Sequence, residues 1–159
     1  MVFQLDVLDC ARAGEFKPSV PSVAIILLSG IREDNNTYPA VLSRKFVEVF
    51  EYKFDNLYPI DERDMRLLGR GGDFPIIFNA EIAGKMLFDF TGVRDKVSGL
   101  MVHCWDGRNR APAVAIAYND VFSFGYDREE LMMKHPAYNS YICQTLIDTA
   151  GKIGIPQLG

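Results

Sequence analysis

At 159 residues the chain has the size of one ordinary domain, able to bury about two thirds of its unfolded surface around a single core. Seventeen Lys and Arg against 21 Asp and Glu leave a net charge of -4, which excludes the global basic field that draws proteins to nucleic acid or to acidic membrane surfaces. The 48% hydrophobic content suits a globular protein, while no run approaches the ~20 apolar residues of a membrane span.

The start, with Asp6 and Asp9, lacks the basic patch and long apolar run of a secretory signal. Cys10, Cys104 and Cys143 are an odd number without close pairing, which predicts a reducing, cytoplasmic setting rather than a disulfide framework. In chain order, Phe3 to Leu8 and Val23 to Leu28 are short apolar runs bounded by turn signals and read as strands. Phe46 to Phe54, rich in Phe, Val and Tyr, predicts a third strand. Leu57 to Phe74, with its charged cluster and then Gly69, Gly71 and Gly72, reads as a long loop of the kind that is usually functional.

Ile82, Ala83, Met86, Leu87 and Phe90 share one helical face, with Gly92 placed to stop the helix. Leu100 to His103 is a buried fourth strand, and the all-round apolar run Ala111 to Tyr118, with Pro112 in its first turn, predicts a buried helix starting just after Arg110. Asp127 to Lys134 gives a short helix, and Tyr138, Tyr141, Ile142, Thr145, Leu146 and Ile153 outline a longer closing one. The stripe of Tyr138, Tyr141 and Leu146 reads as core. Strands alternating with helices indicate a single α/β domain over 1–159, with about four mainly parallel strands flanked by helices.

The chemistry concentrates in Val102-His103-Cys104-Trp105-Asp106-Gly107-Arg108-Asn109-Arg110-Ala111-Pro112. Spacing between a Cys and an Arg is weak evidence alone, but here the stretch begins where a buried strand ends and finishes where a buried helix starts. Peptide N–H groups at a helix N-terminus carry partial positive charge, and a tight loop containing Gly107 turns several of them toward one tetrahedral oxyanion. Arg110 adds a planar guanidinium able to hold two phosphate oxygens. The same field favours a thiolate at Cys104, a nucleophile for phosphorus whose leaving group then needs a proton from a general acid. Cys10 and Cys143 read as small buried hydrophobes.

These residues resemble the cysteine-based protein tyrosine phosphatase superfamily, whose His-Cys-x5-Arg signature stands here as His103-Cys104-x5-Arg110. The resemblance is to the compact dual-specificity-like and bacterial or phage predicted tyrosine phosphatase branch, in which Arg-Ser-Pro-Ala commonly opens the helix where this chain has Arg110-Ala111-Pro112-Ala113. It extends weakly over Val7-Leu8-Asp9-Cys10-Ala11-Arg12, Tyr52-Lys53-Phe54-Asp55-Asn56 and the closing helices. The resemblance implies the phosphatase fold, with Cys104 as nucleophile, Arg110 as phosphate clamp, His103 in support of the cysteine, and Trp105, Asp106, Gly107, Arg108 and Asn109 as the phosphate cradle. It implies an upstream Asp as general acid. Asp55 fits that position best, with Asp61, Asp64 and Asp73 as competitors. No metal or other cofactor is implied.

Two positions depart from the pattern. Ala111 lacks the hydroxyl that helps the cysteine leave when the phosphoenzyme is hydrolysed, and Asp106 places a carboxylate in the cradle, similar to the Cys-x-Asp-Gly-x-x-Arg form of the myotubularin lipid phosphatases. That carboxylate either supplies a proton or repels a dianion. The expected substrate is a phosphorylated protein or a small phosphomonoester, without nucleic acid or membrane. The alternatives are a pseudophosphatase that binds a phosphorylated partner, and a phosphoinositide phosphatase using Asp106. A weaker one is thiol redox or arsenate chemistry, for which no second cysteine lies near Cys104 in sequence.

Overall fold

The computed structural model describes residues 2–30, 43–59, 63 and 75–155. Four parallel strands form one sheet in the order β1-β4-β2-β3, namely β1 (Gln4–Leu8), β2 (Ser22–Leu28), β3 (Glu48–Lys53) and β4 (Gly99–His103). The two inner strands, β2 and β4, are buried almost end to end, whereas the edge strands are partly exposed. That contrast explains why Val-Ala-Ile-Ile-Leu-Leu reads as a continuous apolar run: both faces of an inner parallel strand are covered.

The two faces sort by alternation. Val23, Ile25 and Leu27 of β2, with Leu100 and Val102 of β4, enter the main core, while Ala24 and Met101 turn to a smaller cluster with Ala13 and Phe46. The smaller cluster lies under α1 (Cys10–Glu15), a short helix started by Asp9, whose carboxylate accepts a hydrogen bond from the Arg12 amide at 2.8 Å. The main core is built with α2 (Ala80–Val93), α3 (Arg110–Phe122) and α5 (Ser140–Ile153), with α4 (Arg128–Lys134) beside α3. Phe90 of α2 packs with its ring tilted at 4.7 and 5.1 Å from Phe122 and Tyr118 of α3, and Tyr118 donates its hydroxyl to the Met86 carbonyl at 2.9 Å.

Most expected elements are present with small changes of boundary. The third strand is shorter than Phe46 to Phe54, and Leu146 is fully buried, with Tyr138 and Tyr141 partly buried against the main core. One expectation is corrected: Gly92 does not stop α2, which runs on to Val93 and then tightens into a turn of 3-10 helix at Arg94–Lys96. Nothing lies within contact distance of a Cβ placed at Gly92, so this glycine sits on an open face, where it costs helix propensity without forcing a break. Most of the long loop from Leu57 to Phe74, including Asp61, Asp64 and Asp73, lies outside the described residues.

Candidate active site

Central strand β4 runs into Cys104, and α3 begins at Arg110, so the intervening loop opens at the C-terminal edge of the parallel sheet, where α/β folds place their ligands. Gly107 makes the turn possible. Its φ is +71°, and a Cβ there would lie 2.9 Å from the Asp9 nitrogen and the Leu8 carbonyl carbon, so the loop rests directly on the backbone leaving β1. A hydrogen bond of 3.1 Å from the Cys10 amide to the Trp105 carbonyl fastens the same junction.

The helix following the loop has no side-chain N-cap. Asn109 donates its side-chain amide to the Ala137 carbonyl at 2.7 Å, away from the helix, which leaves the first-turn amides of α3 without a capping side chain. Arg110 is 6% exposed and donates Nη1 to the carbonyls of Leu28 and Phe54, at 3.1 and 2.8 Å. Its guanidinium is thus pinned over the C-terminal ends of β2 and β3 rather than directed into solvent. Cys104 is 1% exposed, and its Sγ lies 3.9 Å from Asp106 Oδ1, which also accepts the Arg108 amide at 3.1 Å. Trp105 is 40% exposed, and Arg108 is exposed as well.

His103 is fully buried. Burial holds its imidazole below its ordinary pKa and so neutral near pH 7; contact with the Cys104 backbone and the Asp9 carboxylate work against this, the Arg110 cation with it. Cys143 is a buried thiol pushed up to about 11 by desolvation, as expected of a core residue.

Asp55 stands two residues past the end of β3, where the upstream Asp is expected, in a buried setting. It is 5% exposed, and its carboxylate accepts from Ser29 Oγ at 2.5 Å, the Gly30 amide at 3.0 Å and the Ile76 amide at 2.6 Å. Its own amide donates to the Ile76 carbonyl at 2.8 Å. Asp55 therefore ties the exits of β2 and β3 to the approach to α2, and Gly30 is small because a Cβ there would run into Asp55 and Ile76.

Asn139, which sequence reasoning left out, and Cys10, read there as a small buried hydrophobe but half-buried here, belong to the same neighbourhood. Asn139, 1% exposed, caps α5 through the Ile142 amide, donates its side-chain amide to Asn56 and the Leu57 carbonyl, and donates its backbone amide to the Asn109 carbonyl at 3.0 Å. It joins the end of the signature loop to the segment after β3; its only sequence signal is an Asn directly before a helical pattern. Cys10, the first residue of α1, stands against the loop from the β1 side.

Among the described residues, no group of three or more His, Cys, Asp or Glu side chains is arranged to hold a metal ion, and no helix is long and apolar enough to cross a membrane.

No protein-family model matches the sequence, and no curated protein matches it significantly. Solved structures do. The crystal structure of Tk-PTP in the active form superposes with a TM-score of 0.52 at 14% identity, covering 94% of this chain and 90% of that one. PTPMT1 gives a TM-score of 0.48 at 15% identity, covering 96% and 89%. TpbA of P. aeruginosa gives 0.42 at 14% identity, covering 94% and 77%. The likeness to Tk-PTP shows that the chain has the fold implied by the signature it resembles, a four-stranded parallel sheet flanked by helices.

Proposed function

We propose that this protein is a phosphomonoester hydrolase that works through a phosphocysteine at Cys104. The observation that carries the reading is the junction between β4 and α3: a cysteine at the end of a central strand, a glycine-turned loop, an uncapped buried helix, and Arg110 held by two strand-end carbonyls. Such a loop offers amides and a guanidinium to the three non-bridging oxygens of a phosphate, and both stabilise the charge that spreads over them in the transition state. The Cys104 thiolate attacks phosphorus, the P–O bond to the alcohol or phenol breaks, and the departing oxygen takes a proton. Water then attacks the phosphocysteine, giving up a proton and releasing phosphate and the thiolate.

For the proton donor the described geometry supports Asp106 over Asp55. Asp106 stands 3.9 Å from the sulfur, whereas both Asp55 oxygens are engaged by three donors. Asp106 as acid in the first step and base in the second fits the exchange of one proton in each direction. Ala111 offers no hydroxyl to the leaving sulfur, so the second step is the slow one. The substrate is a phosphorylated protein or a small phosphomonoester, and the setting is cytoplasmic.

The test is p-nitrophenyl phosphate hydrolysis by wild type, Cys104→Ser and Asp106→Asn. A burst of one p-nitrophenol per protein followed by slow turnover is expected of wild type, and no burst of Cys104→Ser. Turnover that survives Cys104→Ser would overturn the reading. Phosphopeptide binding without turnover by wild type would favour the pseudophosphatase, for which the Asp106 carboxylate beside the sulfur and the missing hydroxyl at Ala111 are the supporting observations.

A further inference from the structure

Strand β1 forms one edge of the sheet, and among the described residues only part of that edge is covered. Its parallel pairing turns the backbone of Gln4, Asp6 and Leu8 toward β4, with the Gln4 amide donating to the Ser98 carbonyl at 2.8 Å, so the intervening Leu5 and Val7 direct their N–H and C=O groups outward. Tyr126 closes the end farther from the signature loop: its hydroxyl accepts from the Leu5 amide at 3.2 Å and donates to the Phe3 carbonyl at 2.8 Å. Beyond it, the Leu5 carbonyl and both backbone groups of Val7 have no partner among the described residues, and they lie along a groove of about 500 Å³ between β1 and α4. An edge left open in this way is a template for a further strand.

The groove leads to the signature loop. Lys134 and His135, at the end of α4, line both this groove and a smaller cavity of about 210 Å³ beside Gly107 and Arg108. Along α4 the charge changes sign, from Asp127 and Glu130 at its start to Lys134 in its last turn, and Asp6 of β1 faces the same groove. Burial raises the Asp6 carboxyl above its ordinary pKa against the pull of the Lys134 cation, a cost that a further cation seated beside it would offset. We propose that the groove binds a phosphorylated protein segment as an added strand on β1, with a Lys or Arg of the segment held by Asp6, Asp127 and Glu130 while its phosphorylated residue enters the signature loop. The inference rests on the hydrolase reading and names its substrate class, a phosphoprotein rather than a free small phosphomonoester.

Helix geometry sets the spacing of the two anchors. Glu130 and Asp127 stand one and two turns before Lys134 on α4, ~6 and ~10 Å away, which is about two or three residues of extended chain. With about one or two residues more between Lys134 and the signature loop, the basic side chain falls about three to five positions from the phosphorylated residue. Backbone pairing with Leu5 and Val7 supplies affinity that is independent of sequence, and the acids supply the choice. A second copy of this chain fits the groove less well, because two β1 edges side by side would set the acids of one copy against those of the other.

The experiment measures binding of fluorescein-labelled phosphotyrosyl and phosphoseryl peptides to wild type and Cys104→Ser by fluorescence polarisation, and kcat/KM of wild type for the same peptides relative to p-nitrophenyl phosphate. Lys is stepped through the flanking positions of an otherwise neutral peptide, and each backbone amide of the best peptide is then N-methylated in turn. Lys about three to five residues from the phosphorylated one is expected to bind about three- to tenfold tighter than the neutral parent. Glu130→Lys is expected to turn that preference toward Glu at the same position, and Glu130→Gln to abolish it. N-methylation is expected to weaken binding at alternate residues and spare those between, because every second residue of an added strand directs its amide to β1. Equal binding of all Lys positions, a preference untouched by Glu130→Gln, N-methyl losses without alternation, or a stable dimer in sedimentation that excludes the peptides overturns the proposal. Selective peptide binding by a wild type that hydrolyses no ester would sink the hydrolase reading and leave the groove standing; hydrolysis without peptide selectivity would do the reverse.

Discussion

At the scale of single residues, two carboxylates that look alike in sequence sit in different settings, Asp106 beside the Cys104 sulfur and Asp55 buried among three donors. With Asp106 as the proposed general acid, Asp106→Asn is expected to cost about 10²–10⁴-fold, with a larger loss for an alkyl phosphate than for p-nitrophenyl phosphate, whose leaving group departs with little help. Equal losses for both esters would remove Asp106 from that role. Asp55→Asn is expected instead to lower the urea midpoint, since placing an NH2 among three donors leaves buried amides unpaired at about 1–3 kcal/mol. Arg110→Lys keeps the charge but loses the planar fork, with an expected fall in kcat/KM on the order of 10²-fold, as for the loss of one preorganised charge stabiliser. The placement of the signature residues was legible because it is local: Cys104, Gly107 and Arg110 lie within one loop and the first helical turn. The setting of Asp55 was not, because its partners Ser29, Gly30 and Ile76 lie 21 to 26 positions away and only folding gathers them.

At the scale of elements, the loop is as much a product of β1 as of its own sequence. Gly107→Ala meets both a left-handed φ and the Leu8–Asp9 backbone, so the expected result is lost activity with a lowered melting temperature, whereas Gly92→Ala on the open face of α2 is expected to stabilise by up to about 1 kcal/mol. Thermal melts of the two variants check the contrast. Strands β2 and β4 and helices α2, α3 and α5 announced themselves through unbroken apolar runs or helical periodicity. Helix α1 did not: its six residues are too short for a period to show, and its one signal was Asp9 three residues before the amide it caps. Gly92 misled because a glycine near a helix end is a stop only where the backbone turns left-handed, as it does at Gly154 after α5.

At the scale of the whole molecule, alternating strands and helices were enough to indicate a parallel α/β sheet, but the order β1-β4-β2-β3 depends on pairings between distant segments that no local pattern encodes. That order puts Cys104 at the end of an inner strand and Cys10 beside it. It also buries His103, whose folded pKa lies below the ordinary 6.5. In the window below 6.5 the unfolded chain binds the proton that the folded one refuses, so the stability from this neutral imidazole is present above 6.5 and lost as pH falls through that window. Urea midpoints taken between about pH 8 and pH 5 are expected to fall more steeply for wild type than for His103→Asn; parallel curves would contradict the burial argument. The central claim, that the sulfur of Cys104 becomes covalently phosphorylated, is tested most directly by acid-quenching wild type during p-nitrophenyl phosphate turnover and mapping the adduct by mass spectrometry. One phosphoryl group on the Cys104 peptide, absent from Cys104→Ala, is the expected result; turnover with the phosphoryl group elsewhere, or with none trapped on Cys104, would contradict the account.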